Sequence, residues 1–208
     1  MASLLRIDVS PRGNASYSRR LGDTFTEAWK SAHSGGSVAE RDLAVNQPTY
    51  VDIQWIQGAF SAPDQQTDAH KAALKLSDEY IAEVKAADHI LITTPMYNFT
   101  VPAVLKAWID HVVRVGVTVN YTDKGPVGQL NGKKVTVIVA SAGAYVKGTP
   151  TENFNYLNPY LQHILGFIGI TDVTFVNAEG GAGVQYGKIS EADYLKPSED
   201  KIAELAKA

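Results

Sequence analysis

The chain of 208 residues contains no cysteine. This absence excludes disulfides, thiolate metal sites, iron–sulfur clusters and a cysteine nucleophile. An excess of one charge is also lacking, because 19 Lys and Arg stand against 22 Asp and Glu, for a formal net charge of −3. No cluster of Lys and Arg stands out, so nothing in the composition supports a nucleic-acid partner.

Long apolar runs are missing as well. No segment approaches the roughly 18 apolar residues that a membrane-spanning helix requires. The first eight residues, Met-Ala-Ser-Leu-Leu-Arg-Ile-Asp, lack the apolar core of a signal peptide. We therefore expect a cytoplasmic protein that does not insert into a membrane.

Several catalytic motifs are absent too. The chain has neither G-x-G-x-x-G nor G-x-x-x-x-G-K-[ST], the two commonest phosphate-binding loops, and no G-x-S-x-G nucleophile elbow. Its five histidines show no H-E-x-x-H or other metal-ligand spacing. We predict no metal site.

What the sequence does contain is a regular alternation of strand-like and helix-like segments. Short apolar runs predict strands over 4–9, 38–43, 89–94, 135–140 and 173–176. Apolar residues at helical spacing predict helices over 17–33, 64–87, 102–114, 154–167 and 191–206, and 116–132 is predicted to be a loop. Five such units in one domain, 1–208, fit a doubly wound five-stranded parallel sheet of flavodoxin-like order 2-1-3-4-5, with helices on both faces.

In this order the loops after strands one, three and four converge on one crevice. The first loop offers the hydroxyls of Ser10, Ser16 and Ser18, the guanidinium groups of Arg12 and Arg19, and the free N–H groups of the next helix. Helix N-termini bind phosphate through such N–H groups and the helix dipole. Taken alone, this loop fits an ordinary serine-capped helix better than a phosphate site.

The second loop, 95–100, carries the strongest signal. Two aromatic rings, a sulfur and an amide lie between two prolines in Pro95-Met-Tyr-Asn-Phe-Thr-Val-Pro102. Met and aromatic side chains form a polarizable surface, while Asn98 and the backbone can hydrogen-bond ring heteroatoms. These residues favour a flat aromatic cofactor over a simple connection packed into the core. In the third loop, Ser141-Ala-Gly-Ala144, small residues would let a planar group approach the backbone, although a plain strand end is also possible.

These motifs together resemble a known family. Ser10-x-Arg12-x-x-x-Ser16-x-Ser18, then Pro95-Met-Tyr-Asn-Phe, then Pro102-x-x-Leu-Lys-x-Trp-Ile-Asp are similar to the FMN-dependent NADH-azoreductases, which are flavodoxin-like bacterial quinone reductases. Asn120-Tyr-Thr-x-x-Gly-Pro-x-Gly and Ala178-Glu-Gly extend the resemblance over nearly the whole chain.

The resemblance implies a homodimer with one FMN per subunit near the interface. By it, Ser10, Ser16 and Ser18 hold the phosphate, and Tyr121 and Phe167 reach across the dimer to cover the substrate. The isoalloxazine would contact the second and third loops. The full set of expected cofactor-binding residues is Ser10, Arg12, Ser16, Tyr17, Ser18, Pro95, Met96, Tyr97, Asn98, Phe99, Ser141, Ala142, Gly143 and Ala144.

Some positions depart from the family pattern. Gly143-Ala144 stands where Gly-Gly is frequent, Ala142 replaces a residue that is often larger, and Val119 replaces a Phe in Gly-x-Thr-Phe. A smaller side chain at Val119 is expected to widen the substrate pocket. These departures concern substrate and nicotinamide preference more than FMN binding.

The sequence thus predicts a ping-pong oxidoreductase. NADH or NADPH would give hydride to FMN, and a quinone or aromatic azo compound would then take its place and be reduced. No side chain need act as a strong acid or base. Two alternative functions would bind FMN without turning over NADH: a flavodoxin-type electron carrier and a flavin-binding sensor. Steady-state NADH oxidation with a small quinone separates them from the enzyme.

Overall fold

A computed structural model describes residues 1–207 and shows one parallel sheet with a small hairpin beside it. The sheet has the order β2-β1-β3-β6-β7. This is the predicted order 2-1-3-4-5, which is confirmed, because β4 and β5 form a separate two-stranded sheet and do not join the large one. The strands are β1 (Ser3–Asp8), β2 (Ser37–Asp42), β3 (His89–Pro95), β4 (Val119–Thr122), β5 (Gly125–Gly128), β6 (Lys134–Ala140) and β7 (Asp172–Ala178).

Helices cover both faces of the sheet, as predicted. They are α1 (Tyr17–Ala32), α2 (Ile53–Phe60), α3 (Asp68–Ala86), α4 (Ala103–Val112), α5 (Leu157–Phe167), α6 (Ala182–Gln185) and α7 (Glu191–Leu205). Among residues 1–207, no helix has the length and apolar character needed to cross a membrane.

The core is divided between the two faces because strand side chains alternate. Ile90 and Ile92 of β3 face one cluster, which includes Tyr80 of α3, Trp108 of α4 and Leu161 of α5. The intervening Leu91 faces the other cluster. That second cluster contains Phe25 and Trp29 of α1 and Ile202 of α7. Strands β1, β3 and β6, whose central residues are all buried, are therefore covered on both sides.

Several features of the fold differ from the prediction. The segment 116–132 holds the β4–β5 hairpin instead of being only a loop, and α2 and α6 were not predicted. Helix α3 begins at Asp68, after the predicted residue 64, because Thr67 caps it by accepting from the His70 N–H. Helix α5 begins at Leu157, after the predicted residue 154, since 152–154 form a separate turn of 3₁₀ helix.

Candidate functional site

The carboxyl ends of β1, β3 and β6 open into a cavity of about 470 Å³. This is the position where the chain leaves neighbouring strands in opposite directions, and open α/β sheets bind ligands there. The walls contain residues from all three predicted loops and from the C-terminal region. They are Ser10, Arg12, Ser16, Tyr17, Pro95, Met96, Tyr97, Ala140, Ser141, Ala142, Gly181, Ala182, Gln185 and Tyr194.

The start of α1 lacks a side-chain cap. Ser16 is the N-cap residue, yet its hydroxyl makes no hydrogen bond to the helix backbone. Instead, Ser16 Oγ lies 3.1 Å from Ser18 Oγ. Both side chains are buried, as is Ser10. Within residues 1–207, the first-turn N–H groups of Tyr17 and Ser18 have no acceptor, so this helix start retains its capacity to bind an anion.

The two arginines of the first loop have different roles. Arg12 is exposed on the cavity wall and has no ion-pair partner in the described part of the chain, 1–207. Arg19, in contrast, is already engaged: its guanidinium pairs with Asp42, and its Nε donates to the Ser10 carbonyl oxygen at 2.8 Å. The hydrogen bonds from Arg19 lower the pKa of the Asp42 carboxyl below its ordinary value. Of the two guanidinium groups in this loop, that of Arg19 is therefore already paired within the chain.

The second loop is a tight hairpin turn whose tip is conformationally unusual. Asn98 and Phe99 both have positive φ, at 48° and 70°, and they are the only non-glycine residues with positive φ in the described residues. Tyr97 and Thr100 exchange two backbone hydrogen bonds of 3.1 Å across them. These are features of a type I′ turn, in which Asn is favoured but Phe is strained by about 1–2 kcal/mol. A strained backbone of this kind is typical of functional sites.

Contacts from the segment after β6 hold Phe99 in that conformation. Its ring makes edge contacts with Tyr145 and Phe154, with ring centroids 6.3 and 5.4 Å apart. Its carbonyl oxygen accepts a hydrogen bond of 3.0 Å from the Tyr156 N–H. In the described residues the N–H groups of Asn98 and Phe99 have no acceptor, which leaves two donors at the turn.

The carbonyl groups of the third loop are hydrogen-bonded to the segment that follows β7. The N–H groups of Gly181, Ala182 and Gly180 donate to the carbonyl oxygens of Ser141, Ala142 and Gly143, respectively, at 2.9–3.1 Å. The N–H groups of Ala142, Gly143 and Ala144 find no acceptor within residues 1–207. Because Ser141 and Ala142 line the cavity, the loop presents unpaired donors beside it.

One wall of the cavity was missed in the sequence. It consists of Gly181, Ala182 and Gln185, at α6, and Tyr194 of α7. Tyr194 donates to the Ala178 carbonyl oxygen at 2.7 Å, and its burial raises the pKa of its hydroxyl. Its ring packs edge-on against Tyr17, with centroids 5.0 Å apart. The Gly180-Gly181 pair, separated from the end of β7 by Glu179, was the one signal that could have indicated this wall.

The structure does not bring every expected residue onto the cavity wall. Ser18 is buried behind it, and Asn98, Phe99, Gly143 and Ala144 adjoin residues that line it. Tyr121 and Phe167 are not on the wall of the same chain. Tyr121 is 65% exposed on the hairpin.

The cavity therefore has two chemically distinct ends. One end collects hydroxyl and N–H donors suited to a phosphate, and the other combines Met96 and Tyr97 with N–H donors suited to a polar, flat ring. No three His, Asp or Glu side chains within residues 1–207 lie close enough together to hold a metal ion. The arrangement fits an elongated, phosphorylated aromatic ligand.

Comparison with known proteins agrees with this geometry. A family model described as "flavodoxin-like fold" matches residues 2–196. An FMN-dependent NADH:quinone oxidoreductase from Acidobacterium capsulatum is 44% identical over 206 residues, covering 99% of this chain and all of the relative. One from Xanthobacter autotrophicus is 48% identical over 174 residues, covering 83% of this chain and 84% of the relative.

A solved structure is also similar. The crystal structure of an azoreductase from Bacillus anthracis superposes with a TM-score of 0.89 at 28% identity, covering all of this chain and 99% of the other. The motifs in the three loops, the strand order and these matches lead to the same assignment. The chain belongs to the flavodoxin-like family that includes the FMN-dependent NADH:quinone oxidoreductases and the azoreductases.

Proposed function

We propose that this protein is an FMN-dependent oxidoreductase that uses NADH or NADPH to reduce quinones and aromatic azo compounds. The names of the relatives support the reaction class. The observation that carries the proposal is the cavity itself, which joins an uncapped helix start to a loop of aromatic residues and free N–H donors. FMN has a phosphate and a flat tricyclic ring at its two ends, so it matches both parts.

At the phosphate end, neutral donors would do most of the binding. Ser10, Ser16 and Ser18 supply buried hydroxyls, and the first turn of α1 supplies backbone N–H groups. Tyr17 lines the cavity, and Arg12 is the guanidinium at its rim. Buried donors that have no competing water bind an anion more strongly than exposed ones.

At the ring end, Pro95 to Phe99 and Ser141 to Ala144 would lie on either side of the isoalloxazine. When bound, FMN supplies the two-electron chemistry, accepting hydride from the nicotinamide and passing it to the acceptor. The free N–H groups of Ala142 and Gly143 would stabilise negative charge at the ring's pyrimidine edge. The strained turn at Asn98 would hold two further N–H donors in place before the ring arrives.

We also propose that a second copy of the chain completes the site. Tyr121 and Phe167 lie outside the cavity of their own chain, yet they come from adjoining elements. The β4–β5 hairpin packs on the end of α5 so closely that a Cβ atom on Gly128 would lie 2.0 Å from Gly169 N. Both aromatic rings could therefore be presented together to a partner's cofactor. The cytoplasmic location expected from the sequence stays a prediction.

The test uses the visible spectrum of the purified protein. We expect FMN absorbance that anaerobic NADH or NADPH bleaches and that an added quinone restores, with steady turnover and no protein partner. FMN binding without nicotinamide turnover would indicate an electron carrier or a sensor. Failure to bind FMN at all would reject the proposal.

A further inference from the structure

Arg19 links the predicted phosphate loop to the neighbouring strand through a fixed fork of hydrogen bonds. Its Nη1 and Nη2 each lie 2.7 Å from one carboxylate oxygen of Asp42, at the end of β2. Its Nε donates to the Ser10 carbonyl oxygen at 2.8 Å. Arg19 also belongs to the first turn of α1, so one side chain joins the Ser10 loop, the helix start and β2.

A second set of contacts, made by Asp8 and Arg6 of β1, supports the Arg19 side chain and backbone. Asp8 accepts from the Arg6 Nε at 3.1 Å and from the Thr93 hydroxyl at 2.6 Å. It also lies 3.4 Å from Arg19 Nη1. Arg6 in turn donates to the Arg19 carbonyl oxygen at 3.2 Å and pairs with Asp23. The ends of β1, β2 and β3 are thereby tied to the first turns of α1.

The charge of Arg19 is already neutralised inside this network. Two arginines, Arg6 and Arg19, contact three carboxylates, those of Asp8, Asp23 and Asp42. The guanidinium of Arg19 is mostly buried, and Arg19 is absent from the cavity wall. It therefore acts on the backbone that forms the cavity and not directly on a bound anion.

We propose that Arg19 and Asp42 are positioning residues for phosphate recognition. They fix the Ser10 carbonyl and the first turn of α1, so that the hydroxyls of Ser10, Ser16 and Ser18 and the free N–H groups converge on one point. This inference rests on the proposed function, since the phosphate is that of FMN. The planar fork of arginine is required, because lysine can offer neither the bidentate pair nor the third donor in the same geometry.

The substitution Asp42→Asn gives a test in which two explanations predict opposite changes in FMN affinity. Removing a negative charge near an anion site should tighten FMN binding if the effect is electrostatic. If Asp42 acts through Arg19, FMN binding should instead weaken, by about tenfold if the displaced helix start loses one hydrogen bond to the phosphate. In the wild type, Asp42 accepts hydrogen bonds from the N–H groups of Ala44 and Val45. The side-chain oxygen of Asn can accept the same two bonds, so the local turn is retained.

Arg19→Lys and Arg19→Gln test the geometry of the fork. We expect both variants to weaken FMN binding to a similar extent, whereas a direct charge on the phosphate would be preserved by lysine. Riboflavin, which lacks the phosphate, should bind these variants as it binds the wild type. The matched control is Arg41→Gln, which breaks the similarly buried Arg41–Glu83 pair of β2 and α3, away from the cavity.

Affinity is measured by titrating apoprotein with FMN or riboflavin and following flavin fluorescence, and stability by urea unfolding. Weaker FMN binding in Asp42→Asn, with riboflavin binding and the Arg41→Gln control unaffected, supports the inference. Unchanged or tighter FMN binding in Asp42→Asn overturns it, as does an equal loss for riboflavin. If Arg19 variants do not fold, Asp42→Asn decides alone. Wild-type protein that binds no FMN would instead refute the proposed function.

Discussion

Ser16 Oγ lies 3.1 Å from Ser18 Oγ and makes no hydrogen bond to the backbone of the helix that Ser16 begins. Elsewhere the same position is used differently: Asp52, Thr67 and Ser190 cap α2, α3 and α7 through their side chains. Among the α-helices of residues 1–207 whose N-cap residue is Ser, Thr or Asp, the one at the cavity is thus the one that its N-cap side chain does not cap. This contrast suggests a ligand in place of a cap.

The first prediction compares two N-cap residues. Ser16→Ala should weaken FMN binding about tenfold, because it removes one hydroxyl donor from the phosphate end. Thr67→Ala should leave FMN affinity unchanged and lower the free energy of unfolding by about 1 kcal/mol, as expected for a lost cap. Flavin titration and urea unfolding measure the two effects. Equal FMN affinity in wild type and Ser16→Ala would place the phosphate elsewhere.

The second prediction concerns the strained turn. Asn98→Gly keeps a residue that tolerates positive φ, whereas Asn98→Ala must adopt it with a Cβ atom, at a cost of about 1 kcal/mol. Both variants lose the amide side chain, so a difference in their FMN affinity reports only the cost of positive φ at residue 98. We expect Asn98→Gly to bind FMN more tightly than Asn98→Ala. The reverse order would show that turn geometry does not control cofactor affinity.

The third prediction is a pH dependence that arises far from the cavity. His89, at the start of β3, is buried and shares a 2.9 Å hydrogen bond with the Thr136 hydroxyl. Burial, followed by the positive charge of Lys134, lowers the pKa of His89 to about 4. Between pH 6.5 and 4 the unfolded chain therefore binds a proton that the folded chain does not, and stability falls as the pH falls.

The expected loss of stability over this range is about 3 kcal/mol at most. The lowered pKa values of Asp42 and Asp88 reduce stability only below about pH 5, where carboxyls of the unfolded chain begin to take up protons, so they add little to the fall between pH 6.5 and 5. Urea unfolding at several pH values should give a flatter profile for His89→Gln than for wild type. Parallel profiles for the two proteins would mean that folding does not lower the pKa of His89.

The fourth prediction uses two glycines near the hairpin. Gly128→Ala would place a Cβ atom 2.0 Å from Gly169 N, so the hairpin must move off α5. We expect loss of quinone turnover with FMN affinity retained, because Tyr121 is displaced and the cavity is not touched. Gly166→Ala in α5 meets nothing within 4 Å and should raise stability by up to about 1 kcal/mol. Full turnover in Gly128→Ala would argue against a role for the hairpin.

The sequence allowed the sheet to be predicted because β1, β3 and β6 are short, mostly apolar runs between loops that contain Gly, Pro or Ser. Their order followed from the alternation with helices. The β4–β5 hairpin was missed because it is short and mostly exposed, so it lacks the alternation that identifies a strand. Helix α2 was missed because it is short, spanning only Ile53–Phe60, although Asp52 caps it by accepting from the Trp55 N–H.

At the site, residue type indicated the first two loops, but not how Arg19 is used. Its pairing with Asp42 joins α1 to β2, 23 residues along the chain, and no local pattern reports such a contact. The same limit applies to Gly181, Gln185 and Tyr194, which reach the cavity only through tertiary folding. Local motifs were sufficient to identify these two loops. The parts of the cavity wall that come from distant segments could be identified only from the folded structure.

The most direct test is a crystal structure of the protein with FMN. We predict the phosphate within hydrogen-bond distance of Ser10, Ser16 and Ser18, and the ring between the Met96–Phe99 turn and the Ser141–Gly143 loop. Tyr121 and Phe167 should come from a second copy. Density for FMN at another position, or a phosphate that contacts none of the three serines, would contradict the proposed site.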